Sequence, residues 1–363
     1  MTPPQHTPLR KGWTTGACAT AATKAAFTAL HTGTFPDPVS IDLPRGGTAA
    51  FALTQEALSG AHAMAAITKD AGDDPDVTHG ALVQSHVALA QEGISFHAGE
   101  GVGTITREGL PLPVGEPAIN PVPRAMMTAA IEAVAVHLNV APAAHITIAI
   151  PGGDALAERT WNPRLGILGG LSVLGTTGVV NPFSCAAWIH SIHRGIDVAR
   201  AARLPHIAAA TGSASERTAQ RALSLPDHAM IDMGDFAGGM LKYLRNHPVD
   251  RLTIAGGFAK LSKLATGALD LHSARSTVDL ASLAALAAST GADPETAEAI
   301  AKAPTGMAAL NAATNAGVDL AGLVALQAAQ TARSVLKQAP VRVDVMVVDR
   351  QGKVVAHTPG PAA

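Results

Sequence analysis

From residue 206 onward the chain alternates apolar runs with helix-forming ones, joined by short turns. HIAAAT (206–211) precedes SASERTAQRALS, AMIDM (229–233) precedes Phe236 to Arg245, and RLTIAGG (251–257) precedes a helix begun near Lys260. Few topologies satisfy that order, because parallel strands need a crossover and here each crossover is a helix. It predicts a doubly wound, Rossmann-like parallel sheet. Alanine-rich helices follow between 279 and 337, and RVDVMVVD (342–349) with KVVAH (353–357) reads as a closing hairpin around Gln351-Gly352.

The first half follows a different rule. Thr14 and Thr15 can cap a helix over ACATAATKAAFTAL, which contains neither Pro nor Gly. Strand-like runs come next at VSIDL (39–43), AFAL (50–53), AMAAIT (63–68), LVQSHVALA (82–90) and ISFHA (94–98). A second helix is expected over 124–138, after the Pro-rich INPVP, and ITIAI (146–150) is a further strand. The fold class is therefore α/β: an α+β N-terminal domain with a mainly antiparallel sheet (1–155), a glycine-rich interdomain segment (156–200) and a doubly wound α/β domain (201–363).

The 363 residues suffice for two sizeable cores. The net charge of −2 gives no bulk attraction to nucleic acid or to an anionic membrane. Cys18 and Cys185 cannot form a disulfide framework or a cysteine zinc site, and a buried thiol is the plain reading of each. The N-terminus MTPPQHTPLRK lacks the apolar stretch of a signal peptide, and the run 165–180 is too short and too glycine-rich to span a bilayer. A cytoplasmic protein is expected.

Four segments carry candidate chemistry. GWTTGACATAATKAA (12–26) puts Thr14, Thr15 and Gly16 at a helix start, where free N–H groups can hold an anion, although a well-capped helix is the plainer reading. KDAGDDPDVTHG (69–80) gathers four aspartates with Lys69 and His79. It lacks the ligand order of an EF-hand and reads either as a surface turn or as a shaped loop offering Asp70, Asp73 or His79 for proton transfer.

The third segment, NPRLGILGGLSVLGTTGVVNPFS (162–184), holds five glycines in 23 residues with Arg164 as its only charge. That is far above the usual ~7%. Either main chain packs tightly there, or Gly169, Gly170, Thr176 and Thr177 let a ligand approach the backbone, with Arg159 and Arg164 offering forked donors to carboxylates. We favour the ligand reading.

The fourth is ATGSASE (210–216), where Gly212 and Ser213 open a helix and Asp232 lies 20 residues beyond Gly212, the spacing of an acid that binds ribose hydroxyls. Gly256, Lys260 and Lys263 stand at the next strand–helix turn. His190 and His193 share a helix face with no third ligand near them, so no protein-bound metal is expected.

With those residues in hand, a family resemblance is visible. GWTTGACATAATKAA, KDAGDDPDVTHG, GVGTITREGLPLPVGEPAINPVPR (101–124) and the glycine-rich run resemble the CbiD family, in matching order, over about residues 9–290. GGFAKLSKLATGALDLHSARSTVDL is similar to the family's Gly-x-x-x-Lys-x-x-Lys…His-Ser…Asp segment, departing from it at Gly257 and Ala259.

The resemblance implies S-adenosylmethionine-dependent methylation of ring carbon C1 of cobalt-precorrin-5B, giving cobalt-precorrin-6A in cobalamin synthesis. The partner it implies is a carboxylate-fringed tetrapyrrole that brings its own cobalt. Thr14, Thr15, Gly16, Arg124, Arg159, Arg164, Gly169, Gly170, Thr176, Thr177, Lys260 and Lys263 are then the candidate contacts to that ring. Gly212, Ser213, Asp232 and Gly256 are the candidates for S-adenosylmethionine. Neither nucleic acid nor membrane is expected as a partner, while other corrin-pathway enzymes and a homo-oligomer stay open. The rival readings are a non-catalytic corrinoid carrier and a phosphate- or nucleotide-using α/β enzyme.

Overall fold

The computed structural model describes residues 8–358; residues 1–7, read above for a leader, lie outside the described residues, as do 359–363. The chain divides into two compact units, Met1–Cys185 and Ala186–Ala363. Both mix helices with strands, one around a mainly antiparallel sheet and the other around a mainly parallel one.

The first unit begins with β1 (Gly12–Trp13) and α1 (Thr15–Thr32). Thr14 is the extended N-cap, its Oγ1 accepting from the Ala17 N–H at 3.2 Å, and Gly33 at φ 77° ends the helix. Alanine dominates α1 because the helix is almost wholly buried between the sheet and a second helix, where larger side chains would hold the layers apart. Then come β2 (Val39–Asp42), β3 (Thr48–Phe51), β4 (Gln55–Ser59), β5 (His62–Thr68), β6 (Leu82–Leu89), β7 (Ile94–Ala98), β8 (Thr104–Ile105), α2 (Pro121–Leu138), β9 (Ala144–Ala149), α3 (Gly153–Ala157), α4 (Asn162–Leu165), β10 (Ile167–Leu168) and β11 (Val179–Val180).

The sheet order is β4-β5-β6-β9-β7, antiparallel except for β7 on β9. Phe27, Val83, Ile131, Ile146 and Ile148 fill its core, and Thr23 Oγ1 meets Ser85 Oγ at 2.8 Å inside it. Strand β4 is exposed along its whole length, so it shows none of the alternation that marks a half-buried strand. Helix α2 starts at Pro121 rather than 124, because proline suits a first helical turn.

The second unit contains α5 (from Cys185 to Ala201), β12 (His206–Ala210), α6 (Ser213–Leu223), β13 (Met230–Asp232), α7 (Ala237–Asn246), β14 (Arg251–Gly257), α8 (Phe258–Ala265), α9 (Leu280–Ala288), α10 (Pro294–Ala301), α11 (Gly306–Asn315), α12 (Leu320–Leu336), β15 (Arg342–Val348) and β16 (Val354–Thr358). The order is β13-β12-β14-β15-β16, parallel through β15 with β16 antiparallel at the edge. Numbered within the unit this is 2-1-3-4-5, whose switch point lies between β12 and β14. Ala219 of α6 covers one face with Ala208, Met230, Ala255 and Met346, while α5, α7, α8 and α12 build the larger core on the other.

A polar group is buried where these strands begin. Asp344 is fully buried and pairs with Arg251, Thr253 donates toward the same carboxylate at 3.4 Å, and His206 Nε2 lies 2.8 Å from Thr253 Oγ1. Burial, and then the Arg251 charge, push His206 down to about 4, so its ring is neutral. Cys18 is buried and its thiol pushed up to about 12 by that burial, whereas Cys185 lies in the first turn of α5, a turn exposed throughout. Among the described residues no helix is long and apolar enough to cross a membrane.

Candidate functional site

An open cleft of about 510 Å³ in the first unit is walled by the loop 72–79, Arg159 and Phe183. It joins two of the candidate segments: Asp73 and His79 from the aspartate loop, and Arg159 from just after α3.

The loop owes its shape to the strand beside it. Arg10 grips Asp70 with both terminal nitrogens, Nη2 to Oδ1 at 2.9 Å, and its backbone N–H donates to Asp73 Oδ2 at 2.6 Å. The Asp73 N–H returns a bond to the Arg10 carbonyl at 2.9 Å, and Trp13 N–H donates to the Asp70 carbonyl at 2.7 Å. These bonds bring two backbones almost into contact. A Cβ on Gly12 would sit 2.0 Å from the Ala71 carbonyl carbon, and one on Gly72 (φ 68°) 2.2 Å from the Arg10 oxygen. Only glycine serves at either position.

Each acid of the loop has its own partner. Asp70 is lowered to about 2, first by the Arg10 hydrogen bonds and then by the Gly72 N–H. Burial alone would push Asp76 up, but the Lys69 ammonium outweighs it with Thr78, and the net direction is downward. Lys69, 3% exposed, donates to Asp76 Oδ2 at 2.6 Å and to Thr78 Oγ1. Asp74 accepts the Phe183 N–H at 2.8 Å. Asp73 is exposed, and the hydrogen bond it accepts comes from a backbone N–H. His79 Nδ1 accepts the Ala71 N–H at 3.1 Å, which assigns the ring hydrogen to Nε2 and makes the outward nitrogen a donor. Arg159 is exposed and, among the described residues, makes no side-chain hydrogen bond or ion pair.

The other first-unit candidates stand apart from this cleft. Thr14 and Thr15 are buried, and the N–H groups at the start of α1 are answered internally: Gly16 donates to Leu174 O at 3.0 Å and Ala17 to Thr14. A Cβ on Gly16 would meet Pro123 at 2.7 Å. Arg124 spends its guanidinium on Ile119 O, Pro117 O and Glu116, and its end lies 5.4 Å above the Phe96 ring. Arg164 is half-buried in α4. Thr177 bonds to Val179 at both its N–H and its carbonyl, and Thr176 is exposed.

The glycine run is largely packed by its own chain, contrary to our preference for ligand approach. The space over Gly166 is taken by Arg107, over Gly170 by the Gly101 backbone at 2.3 Å, over Gly175 by Thr14 and over Gly178 by Leu43. Gly169 alone of the five has nothing within 4 Å of a Cβ.

In the second unit, Gly212 and Ser213 lie at the carboxyl end of β12 and Asp232 ends β13 in register with Ala210. A Cβ on Gly212 would meet nothing within 4 Å, and Ser213 is exposed in the first turn of α6. Gly256 is closed by Thr211 Oγ1 at 2.8 Å. Lys260 Nζ holds Asp235 at 2.9 Å and the Thr211 carbonyl at 2.9 Å; Lys263 is buried and donates to Leu271 O at 2.9 Å. His193 stacks on Tyr243 at 3.9 Å, and among the described residues no three metal-ligating side chains converge. Arg10 and Phe183 escaped the sequence reading. The one signal for them was a cation pair ahead of a glycine turn and an aromatic residue in the turn NPFS.

The fold and the cleft define an α/β protein with a doubly wound unit and a polar cleft lined by Asp73, Asp74, Asp76, His79 and Arg159. The family model CbiD matches residues 2–182, and that of the CbiD C-terminal domain matches 270–359. Relatives from Brucella canis and Brucella suis, both named cobalt-precorrin-5B C(1)-methyltransferase, are 61% identical over 356 residues, covering 98% of this chain and 97% of theirs. The chain belongs to the CbiD family. A crystal structure of a cobalamin biosynthesis protein (cbiD) from Archaeoglobus fulgidus is 22% identical and covers 85% of either chain, with a TM-score of 0.39.

Proposed function

We propose that the chain is a C-methyltransferase that methylates ring carbon C1 of cobalt-precorrin-5B, with S-adenosylmethionine as donor and cobalt-precorrin-6A as product. The observation that carries this reading is the 61% identity, over nearly the full length, to relatives named for that reaction.

The first-unit cleft takes the edge of the macrocycle. Arg159 pairs with a peripheral carboxylate, and the Nε2–H of His79 donates to a second acceptor. Exposed Gly169 and Thr176, with Arg164, extend the polar rim. Asp73 has one oxygen on the Arg10 N–H and the other available, so it is the proton acceptor. Asp70, drawn to about 2, shapes the loop and is the weaker base. Thr14, Thr15, Gly16, Gly170, Thr177 and Arg124 act one layer back, by fixing the backbone that carries these groups.

S-adenosylmethionine supplies a methyl group already activated by its sulfonium, so the chain need form no covalent intermediate. The second unit is the half that holds it. Open space over Gly212, the exposed Ser213 hydroxyl and the Asp232 carboxylate at the end of the neighbouring strand fit a nucleoside at the carboxyl edge of the sheet. Gly256, Lys260 and Lys263 shape that edge through Thr211, Asp235 and Leu271.

The test pairs turnover of cobalt-precorrin-5B, followed by mass, with calorimetric titration of S-adenosylmethionine into wild type and Asp232→Ala. Methyl transfer together with binding that Asp232→Ala abolishes is the expected result. Methyl transfer with undiminished binding in Asp232→Ala moves the donor site elsewhere. Macrocycle binding without methyl transfer makes the protein a corrinoid carrier.

A further inference from the structure

Phe183 departs from the usual rules for a large apolar residue in three ways. Its φ of 56° is left-handed, a region that bulky side chains avoid. The residue is 66% exposed, although an aromatic of that size gains most from burial. Its N–H is held by Asp74 Oδ1 at 2.8 Å, a carboxylate 109 positions earlier in the chain. Strain of this kind persists only where the surroundings impose it, and it concentrates at sites that handle ligands. Here Asp74, which accepts the Phe183 N–H, and the strained residue both line the cleft that holds Asp73, His79 and Arg159.

We infer that Phe183 is an aromatic platform on which the face of the tetrapyrrole lies while Arg159 takes a carboxylate at its edge, an inference that rests on the macrocycle reading of the cleft. The cleft lining combines polar groups fixed by hydrogen bonds with the exposed Phe183, whose backbone N–H is held by Asp74. That pairing suits a ligand with a flat apolar face and an anionic rim. It does not suit a small polar metabolite, which would leave the ring in water. The Asp74 bond anchors the main chain at Phe183 in advance, so binding does not have to order that backbone.

The experiment measures binding of uroporphyrin, a flat polycarboxylate macrocycle, by its absorbance change with the full chain. It is run on wild type, Phe183→Asn, Phe183→Ala and Phe183→Trp, with turnover of cobalt-precorrin-5B followed in parallel. Asparagine tolerates the left-handed backbone and keeps the Asp74 bond, so Phe183→Asn removes the ring without adding strain. The expected result is binding about tenfold weaker in Phe183→Asn and Phe183→Ala and restored in Phe183→Trp. The KM for S-adenosylmethionine is expected to stay unchanged in all of them. Undiminished binding in Phe183→Asn overturns the inference, as does a wild type that takes up no uroporphyrin. A wild type that binds uroporphyrin in a Phe183-dependent way yet methylates nothing strikes the methyltransferase reading and leaves the platform standing.

Discussion

Arg10 and Asp70 are 60 residues apart in the chain and joined by a two-pronged ion pair, and the same arginine's backbone N–H holds Asp73. One residue thus fixes one acid of the cleft loop and orients another. Arg10→Gln should let Asp70 rise from about 2 toward its ordinary 3.8, read by carboxyl NMR titration. With the pair lost, the loop loses its set geometry, and the KM for the macrocycle should rise about tenfold, since small displacements at a site are costly. The pair is exposed, so the melting temperature should barely move.

Arg159 lines the cleft and, among the described residues, makes no side-chain hydrogen bond or ion pair. Arg159→Gln should raise the KM for the macrocycle about tenfold, with kcat much less affected, and should flatten the dependence of KM on ionic strength. Steady-state kinetics between low and high salt would check it; a KM unchanged at low salt would remove Arg159 from the site.

Two neighbouring glycines should respond very differently to alanine. At Gly170 a Cβ meets the Gly101 backbone at 2.3 Å, and nothing there can move cheaply, so Gly170→Ala should cost about 3 kcal/mol. At Gly169 (φ 82°) the space is open and only backbone strain remains, so Gly169→Ala should cost about 1 kcal/mol. Urea denaturation of both variants decides between packing and ligand approach as the reason for the glycines.

The contrast between these glycines shows where the sequence was readable. Their excess over 162–184 was plain, but the spacing that lets Gly170 pass Gly101 is the same spacing that would let a ligand reach main chain. Strands buried on one or both faces, such as β5, β6, β12 and β14, declared themselves by pattern, and α1 by Thr14 and its alanines. Strand β4 and the two-residue pairs β1–β11 and β8–β10 carry no pattern to read. The aspartate loop and Arg159 were legible as chemistry. Phe183 and Arg10 were not, because each matters through a partner far along the chain, Asp74 and Asp70, and a single sequence does not mark such pairs.

Lys69 is a buried ammonium whose counter-ion, Asp76, is 24% exposed at its side chain. Removing the cation strands that carboxylate, so Lys69→Met should destabilise the first unit by about 3 kcal/mol, near the low end for a broken buried pair because water still reaches Asp76. The double variant Lys69→Met/Asp76→Leu should recover most of the loss, measured by urea denaturation of both proteins.

His206 sets an acid limit on the second unit. Its pKa is about 4 in the folded chain against an ordinary 6.5, so below pH 6.5 the unfolded chain binds a proton that the folded chain refuses. Stability is therefore complete above about 6.5 and drains as the pH falls toward 4, where the folded ring also protonates. Denaturation midpoints across that window should fall for wild type and stay flatter for His206→Gln.

The strand order of the second unit also decides when its sheet can exist. Strand β14 lies between β12 and β15, yet β15 is reached only after the four helices α9 to α12. While the chain is being synthesised, the Arg251–Gly257 backbone is thus an unpaired sheet edge, with Leu252 and Ile254 beside it, until the last strands emerge. Nascent chains stalled before Arg342, and any product cut there, offer that edge to other copies as a template for aggregation.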